Sequence, residues 1–268
     1  MKRFITAFGL FCLFQVNANI DKAPIDLANV HNQRTKQYEL NDYTKIIQYS
    51  PHRTGSTLVY NVLRYLFEDD EQMKVLGYFF RDKKKVLENK VIKTHFSWSC
   101  NKEGTCIFAT VRHPVDAVVS YMRIMKIKRS GPIKTLIQKH FAYWNTLQKL
   151  KAQGKKVVLL RYEDFSENID HIFDRIEENL DISIGEQDKN ILREAFSRDN
   201  VKQHIKKFSS FNKKDITHLH GNHIDTFKEK NFDREKAAKK VIELLSDYKD
   251  ELEMMGYSLD GRVEICKD

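Results

Sequence analysis

The chain has 268 residues, 41% of them hydrophobic and 31% charged, with 10 glycines and 4 prolines. That is enough apolar material for one sizeable core, and too little Gly and Pro for an extensively disordered chain. Lys and Arg number 46 against 37 Asp and Glu, a formal charge of +9; this suits an anionic ligand or acceptor. Nucleic acid would also explain the charge, through Lys83, Lys84 and Lys85 or the stretch from Lys202 to Lys214. No helix-turn-helix, zinc-finger or RNP aromatic pattern accompanies these lysines, so no nucleic-acid partner is expected.

The first element is a leader. Lys2 and Arg3 precede an apolar run from Phe4 to Phe14, and Val16-Asn17-Ala18 places small or β-branched residues around a cleavage point. Residues 1–18 therefore read as a cleavable secretory signal, and export is the expected localisation. The run is short of the roughly 20 residues of a membrane-spanning helix, so no stable span is expected once the signal is removed. An uncleaved signal anchor is the other reading. Residues 19–43 are polar and read as a linker to a single domain over 44–268. Cys100, Cys106 and Cys266 remain after cleavage. Export would permit a Cys100–Cys106 disulfide, against the alternative of free thiols.

Within the domain, Lys45 to Tyr49 is a short β-prone run. Pro51-His52-Arg53-Thr54-Gly55-Ser56-Thr57 follows it. Leu58, Val59, Val62, Leu63, Leu66 and Phe67 then form a helical apolar stripe. A strand, a tight turn and a helix N-terminus make a phosphate grip. Gly55 permits close backbone approach, the helix start offers amide donors and a positive dipole, Ser56 and Thr57 add hydroxyls, and Arg53 adds a fixed charge. An ordinary turn with a Ser/Thr cap is the bland alternative.

A second strand, Val91 to Phe96, carries Lys93 and His95 at its end, where His95 suits a general base, against the alternative of a capping or packing role. A third, Cys106 to Val111, runs into Arg112-His113-Pro114, with Pro114 where a helix would begin and Ser120 further along that helix. Ligands of open α/β sheets bind outside the carboxyl ends of strands, and an Arg with a hydroxyl can clamp a phosphate there. Helical stretches over 115–127 and 132–152 lead to a fourth strand, Lys156 to Arg161, followed by Tyr162-Glu163-Asp164. Further helices are expected over 167–180 and 233–254. The alternation predicts an α/β fold, a single domain with a central parallel sheet flanked by helices.

Several chemistries are excluded. The 51–57 segment lacks the spaced glycines and the Lys of a Walker loop. The 10 histidines form no H-E-x-x-H and the cysteines no C-x-x-C, so no metal is expected; the His218, His220 and His223 cluster reads as an anion or acceptor contact. No G-x-S-x-G elbow marks a serine hydrolase.

At these residues the chain resembles the sulfotransferases that use 3′-phosphoadenosine 5′-phosphosulfate (PAPS), over roughly residues 44–255. Arg53 to Thr57 match that family's loop for the 5′-phosphosulfate, with His52 in place of its usual Pro. Lys93-Thr94-His95 match its sulfonate-contacting Lys and catalytic base. Arg112-His113-Pro114-Val115-Asp116 with Ser120-Tyr121 match the segment holding the 3′-phosphate, and Tyr162-Glu163-Asp164 the element near the adenine. The C-terminal nucleotide segment has a degraded counterpart in which Gly221, Phe227 and Lys228 can be placed and the Arg-Lys pair is missing. The resemblance implies a P-loop NTPase-like sulfotransferase architecture, PAPS as co-substrate and no metal. It implies His95, Lys93 and Arg53 as catalytic, and Arg53, Thr54, Gly55, Ser56, Thr57, Arg112, Ser120, Tyr162, Gly221 and Lys228 as nucleotide contacts. The acceptor, whether carbohydrate, lipid, peptide or small phenol, has no readable code. A non-catalytic anion-binding module of the same fold and an atypical P-loop kinase are the competing readings.

Overall fold

The β-prone runs of the sequence form four strands, β1 (Lys45–Tyr49), β2 (Val91–Thr94), β3 (Thr105–Val111) and β4 (Lys156–Arg161). The computed structural model of the protein describes residues 25–27, 29–69, 89–95, 103–206, 217, 219 and 232–259. All three strand pairings are parallel, in the order β2-β1-β3-β4. The chain steps from β1 to one side and then back across to β3 on the other. The carboxyl ends of β1 and β3 therefore flank a topological switch point, where an open sheet offers a crevice.

Parallel strands need crossovers, and helices supply them. These are α1 (Ser56–Phe67), α2 (Pro114–Met125), α3 (Ser130–Ala152), the single turn α4 (Tyr162–Phe165), α5 (Asp170–Leu180), α6 (Glu186–Ala195), α7 (Arg198–Lys206), α8 (Arg234–Leu245) and α9 (Lys249–Met254). The helices cover both faces of the sheet, so β3 is buried at every residue, and its alternation decides which face each residue serves. Cys106 and Phe108 join a core with α1, α5, α6 and α7. Ile107, Ala109 and Val111 join a second core with α2, α3, α8 and α9. Together these make a four-stranded parallel α/β sheet flanked by helices, as the alternation of the sequence predicts.

Several boundaries differ from expectation. The second strand ends at Thr94, leaving His95 in the bend beyond it. The 233–254 helix breaks into α8, a 3-10 turn at Ser246–Tyr248 and α9. Helices α6 and α7 are short amphipathic stretches that lie between the expected elements. The linker over 19–43 needs correction in its described part. Leu27, Val30 and Tyr38 are buried, and Arg34 donates to the carbonyls of Tyr65 and Glu68 at the end of α1. The segment looks polar because its apolar residues are sparse, yet among the described residues Ile25, Leu27, Val30, Tyr38, Leu40 and Tyr43 pack into or against the core. Cys106 is a buried free thiol. Cys100, Cys266, residues 1–18 and the His218, His220 and His223 cluster lie outside the described residues, as do Gly221, Phe227 and Lys228.

Candidate active site at the carboxyl ends of β1, β2 and β3

The turn after β1 is built by its own backbone. Gly55 has φ 78° and closes directly against α4, where a Cβ would come within 2.7 Å of the Phe165 ring and 2.8 Å of Tyr162. Arg53 is also held in the left-handed region, at φ 68°, at a cost of about 1 kcal/mol for a residue with a Cβ. Gly55, not Ser56, is the N-cap of α1, and no side chain caps the helix. The first-turn amides of α1 thus face the turn with the positive end of the helix dipole behind them.

A hydroxyl chain fixes this turn to β3. Thr54 Oγ1 donates to the Pro51 carbonyl and lies 2.7 Å from Thr110 Oγ1. Thr110 donates to Ser50 Oγ through both its amide (3.1 Å) and its hydroxyl (2.6 Å). Thr54, Thr110 and Ser50 are completely buried.

Lys93 and His95 reach the turn from β2. Lys93, 3% exposed, donates to Thr57 Oγ1 at 2.6 Å. Burial lowers its pKa to about 7, and the Arg53 guanidinium acts in the same direction. His95 Nδ1 bonds the Ser50 carbonyl. A carbonyl can only accept, so Nδ1 carries the proton and Nε2 the lone pair. Burial lowers the His95 pKa to about 3, with His52 and Lys93 adding to the effect, so the ring is neutral at pH 7. The His52 ring lies 4.1 Å from that of His95 and 5.3 Å from that of Tyr121. Although His52 retains an exposed edge, burial of the rest of the ring and the cations Lys93, Lys139 and Arg53 hold it below the usual imidazole range.

The α2 side completes the cluster. Pro114 is the first residue of α2, as expected, and His113 is its cap. Arg53 Nε donates to Ser120 Oγ at 3.0 Å, joining the turn to α2. Burial lowers the Arg53 pKa to about 10, followed by repulsion from Arg123 and then Arg112. Arg112 lies 4.2 Å over the Tyr162 ring, and its buried Nε has no hydrogen-bond partner among the described residues. The structure thus gathers Arg53, Thr54, Gly55, Ser56, Thr57, Lys93, His95, Arg112, Ser120 and Tyr162 around one turn. Among the described residues no group of His, Cys, Asp or Glu is arranged to hold a metal ion.

Two contributors escaped the sequence reading. Arg123 lies one helical turn beyond Ser120, a spacing that shares a face with Ser120 but does not say which way that face points until α2 is packed. His140 on α3 carries no local signal; it is buried, and its pKa is lowered to about 4 by burial and then by His52.

No protein-family model matches the chain, and no curated protein matches it. Among solved structures it is similar to mouse sulfotransferase SULT7A1 complexed with PAP, at 13% identity and a TM-score of 0.47, covering 87% of this chain and 93% of that one. It is also similar to retinol dehydratase in a complex with retinol and PAP, at 16% identity and a TM-score of 0.44, over 83% of this chain and 85% of that one. A second retinol dehydratase structure, with androsterone and inactive cofactor PAP, matches at 17% identity and a TM-score of 0.41, over 85% and 84%.

Proposed function

We propose that the chain is a sulfotransferase moving a sulfuryl group from PAPS to an acceptor hydroxyl or amine. The observation that carries this reading is a buried Lys93 beside a tautomer-fixed His95, both facing the uncapped turn at Gly55. The residues fit such a co-substrate. Like charges from Arg53, Arg112 and Arg123 converge near Ser120, and the buried Arg112 Nε awaits an acceptor.

PAPS supplies a sulfur–oxygen bond that breaks at the 5′-phosphate as sulfur bonds the acceptor atom, leaving 3′-phosphoadenosine 5′-phosphate (PAP). His95 Nε2 takes the acceptor's proton. Lys93 and Arg53 stabilise negative charge on the transferring and bridging oxygens, and amides of the 53–57 turn hold the departing phosphate. Arg112 and Ser120 hold the 3′-phosphate, and Tyr162 sits by the adenine. These cations and amides supply the positive charge that a metal gives a kinase. The leader-like residues 1–18 support export, and the acceptor's class is open.

Titration calorimetry of the protein with PAP tests the reading, with ATP as control. Tight PAP binding is expected, weakened about 10- to 100-fold by Arg112→Ala, the loss of a charge-assisted hydrogen bond. A folded protein that ignores PAP overturns it. PAP binding without transfer to any acceptor identifies the anion-binding module.

A further inference from the structure

Arg112 is followed at once by a peptide that the chain holds from two directions, both leading to residues 257–258 beyond α9. The His113 amide donates to Glu163 Oε1 at 2.9 Å, and the other oxygen of that carboxylate, Oε2, accepts from the Tyr257 hydroxyl at 3.0 Å. The His113 ring makes the second tie. Its Nδ1 accepts from the Val115 amide at 3.2 Å, so Nε2 carries the proton and donates to the Ser258 carbonyl at 3.1 Å. The same turn grips β4, where Arg161 Nη2 donates to the Met255 carbonyl at 2.8 Å and the guanidinium lies 5.0 Å from the Tyr257 ring centroid. Arg161 and Glu163 flank Tyr162, whose ring is the platform under Arg112.

Resting on the nucleotide reading above, we infer that Tyr257 is a positioning residue for the nucleotide's 3′-phosphate: through Glu163 it fixes the His113 peptide and, with it, the direction of the Arg112 guanidinium. The bond is made at the surface, since Glu163 is exposed, so it adds little to the core. Its value is orientation. Glu163 can hold the His113 amide only while its carboxylate keeps one rotamer, and the Tyr257 hydroxyl on the opposite oxygen selects that rotamer.

Tyr257→Phe keeps the ring against His113 and Arg161 and removes only the hydroxyl; Glu163→Gln takes one acceptor oxygen from the pair. PAP and adenosine 5′-phosphate, which lacks the 3′-phosphate, are titrated into wild type and both variants. Hydrogen exchange of the His113 amide is followed by NMR without ligand. Tyr257→Phe is expected to weaken PAP about 5-fold while leaving adenosine 5′-phosphate within about 2-fold, with faster exchange at His113. The double variant should lose no more PAP affinity than Glu163→Gln alone. An unchanged PAP-to-adenosine 5′-phosphate ratio in Tyr257→Phe, with wild type binding PAP, overturns the inference, as does equal weakening of both ligands. A wild type that binds no PAP overturns the functional reading first, and this inference with it.

Discussion

Two buried charges in this protein are treated in opposite ways. Asp188 on α6 is fully buried and surrounded by donors. The Thr35 amide donates at 2.9 Å, the Thr35 hydroxyl also bonds it, and Tyr38 and Tyr65 each donate a hydroxyl at 2.9 Å. Burial alone pushes its pKa up, but these hydrogen bonds outweigh burial and hold it below the usual carboxylate range. Lys93 is buried almost as deeply, yet the Arg53 guanidinium adds to burial in lowering its pKa. A charge that the fold uses for itself is surrounded by groups that complement it. Burial and a neighbouring cation instead disfavour the charge on Lys93, with the Thr57 hydroxyl accepting from it.

If the Lys93 cluster serves transfer, His95→Ala should cut the rate about 10²- to 10⁴-fold while PAP affinity in calorimetry changes little. Equal loss of rate and affinity would make His95 a binding residue. Asp188→Asn tests the structural side: it replaces an all-acceptor group with one that donates toward donors, and should cost about 3–5 kcal/mol in denaturant unfolding. The folded fraction should keep its PAP affinity. The Asp188 contribution is present above the ordinary carboxylate pKa and is lost as pH falls through the lowered folded value.

Lys93→Met should move stability the other way. A fall from 10.5 to about 7 corresponds to a burden of about 5 kcal/mol. It is carried in full below pH 7 and relieved as pH rises toward 10.5. Part returns through the abandoned Thr57 hydroxyl, so the variant should be about 2–4 kcal/mol more stable than wild type at pH 6, with the gain fading by pH 10.5 and transfer lost. The smallest effect is protonic: PAP should restore the Lys93 proton. Calorimetry in buffers of different ionisation enthalpy should show proton uptake at pH 8 and less at pH 6.

Much of the site was legible because its residues come in short contiguous groups, each at the carboxyl end of a strand. The turn at Arg53 to Thr57, the Lys93 and His95 pair and the Arg112 segment are local patterns, readable before the strands are ordered. Arg123 and His140 were not, because a helix residue declares its direction only once the helix is packed. Tyr257 was missed for a different reason: its partners Glu163 and His113 lie far away in sequence, and a lone tyrosine near a chain end carries no periodic signal.

The sequence alone determined the α/β class, the strand and turn chemistry and the excess of positive charge, since these depend on local propensity, apolar period and composition. Only the tertiary structure decided that β1 lies between β2 and β3. That neighbourhood brings Arg53 onto Ser120 and Lys93 onto Thr57 and sets the His95 tautomer through Ser50, while Val30 and Tyr38 from the stretch before β1 are buried in the core. Strand order and long-range hydrogen bonds depend on which surfaces meet, and that is fixed by burying both faces of the sheet together.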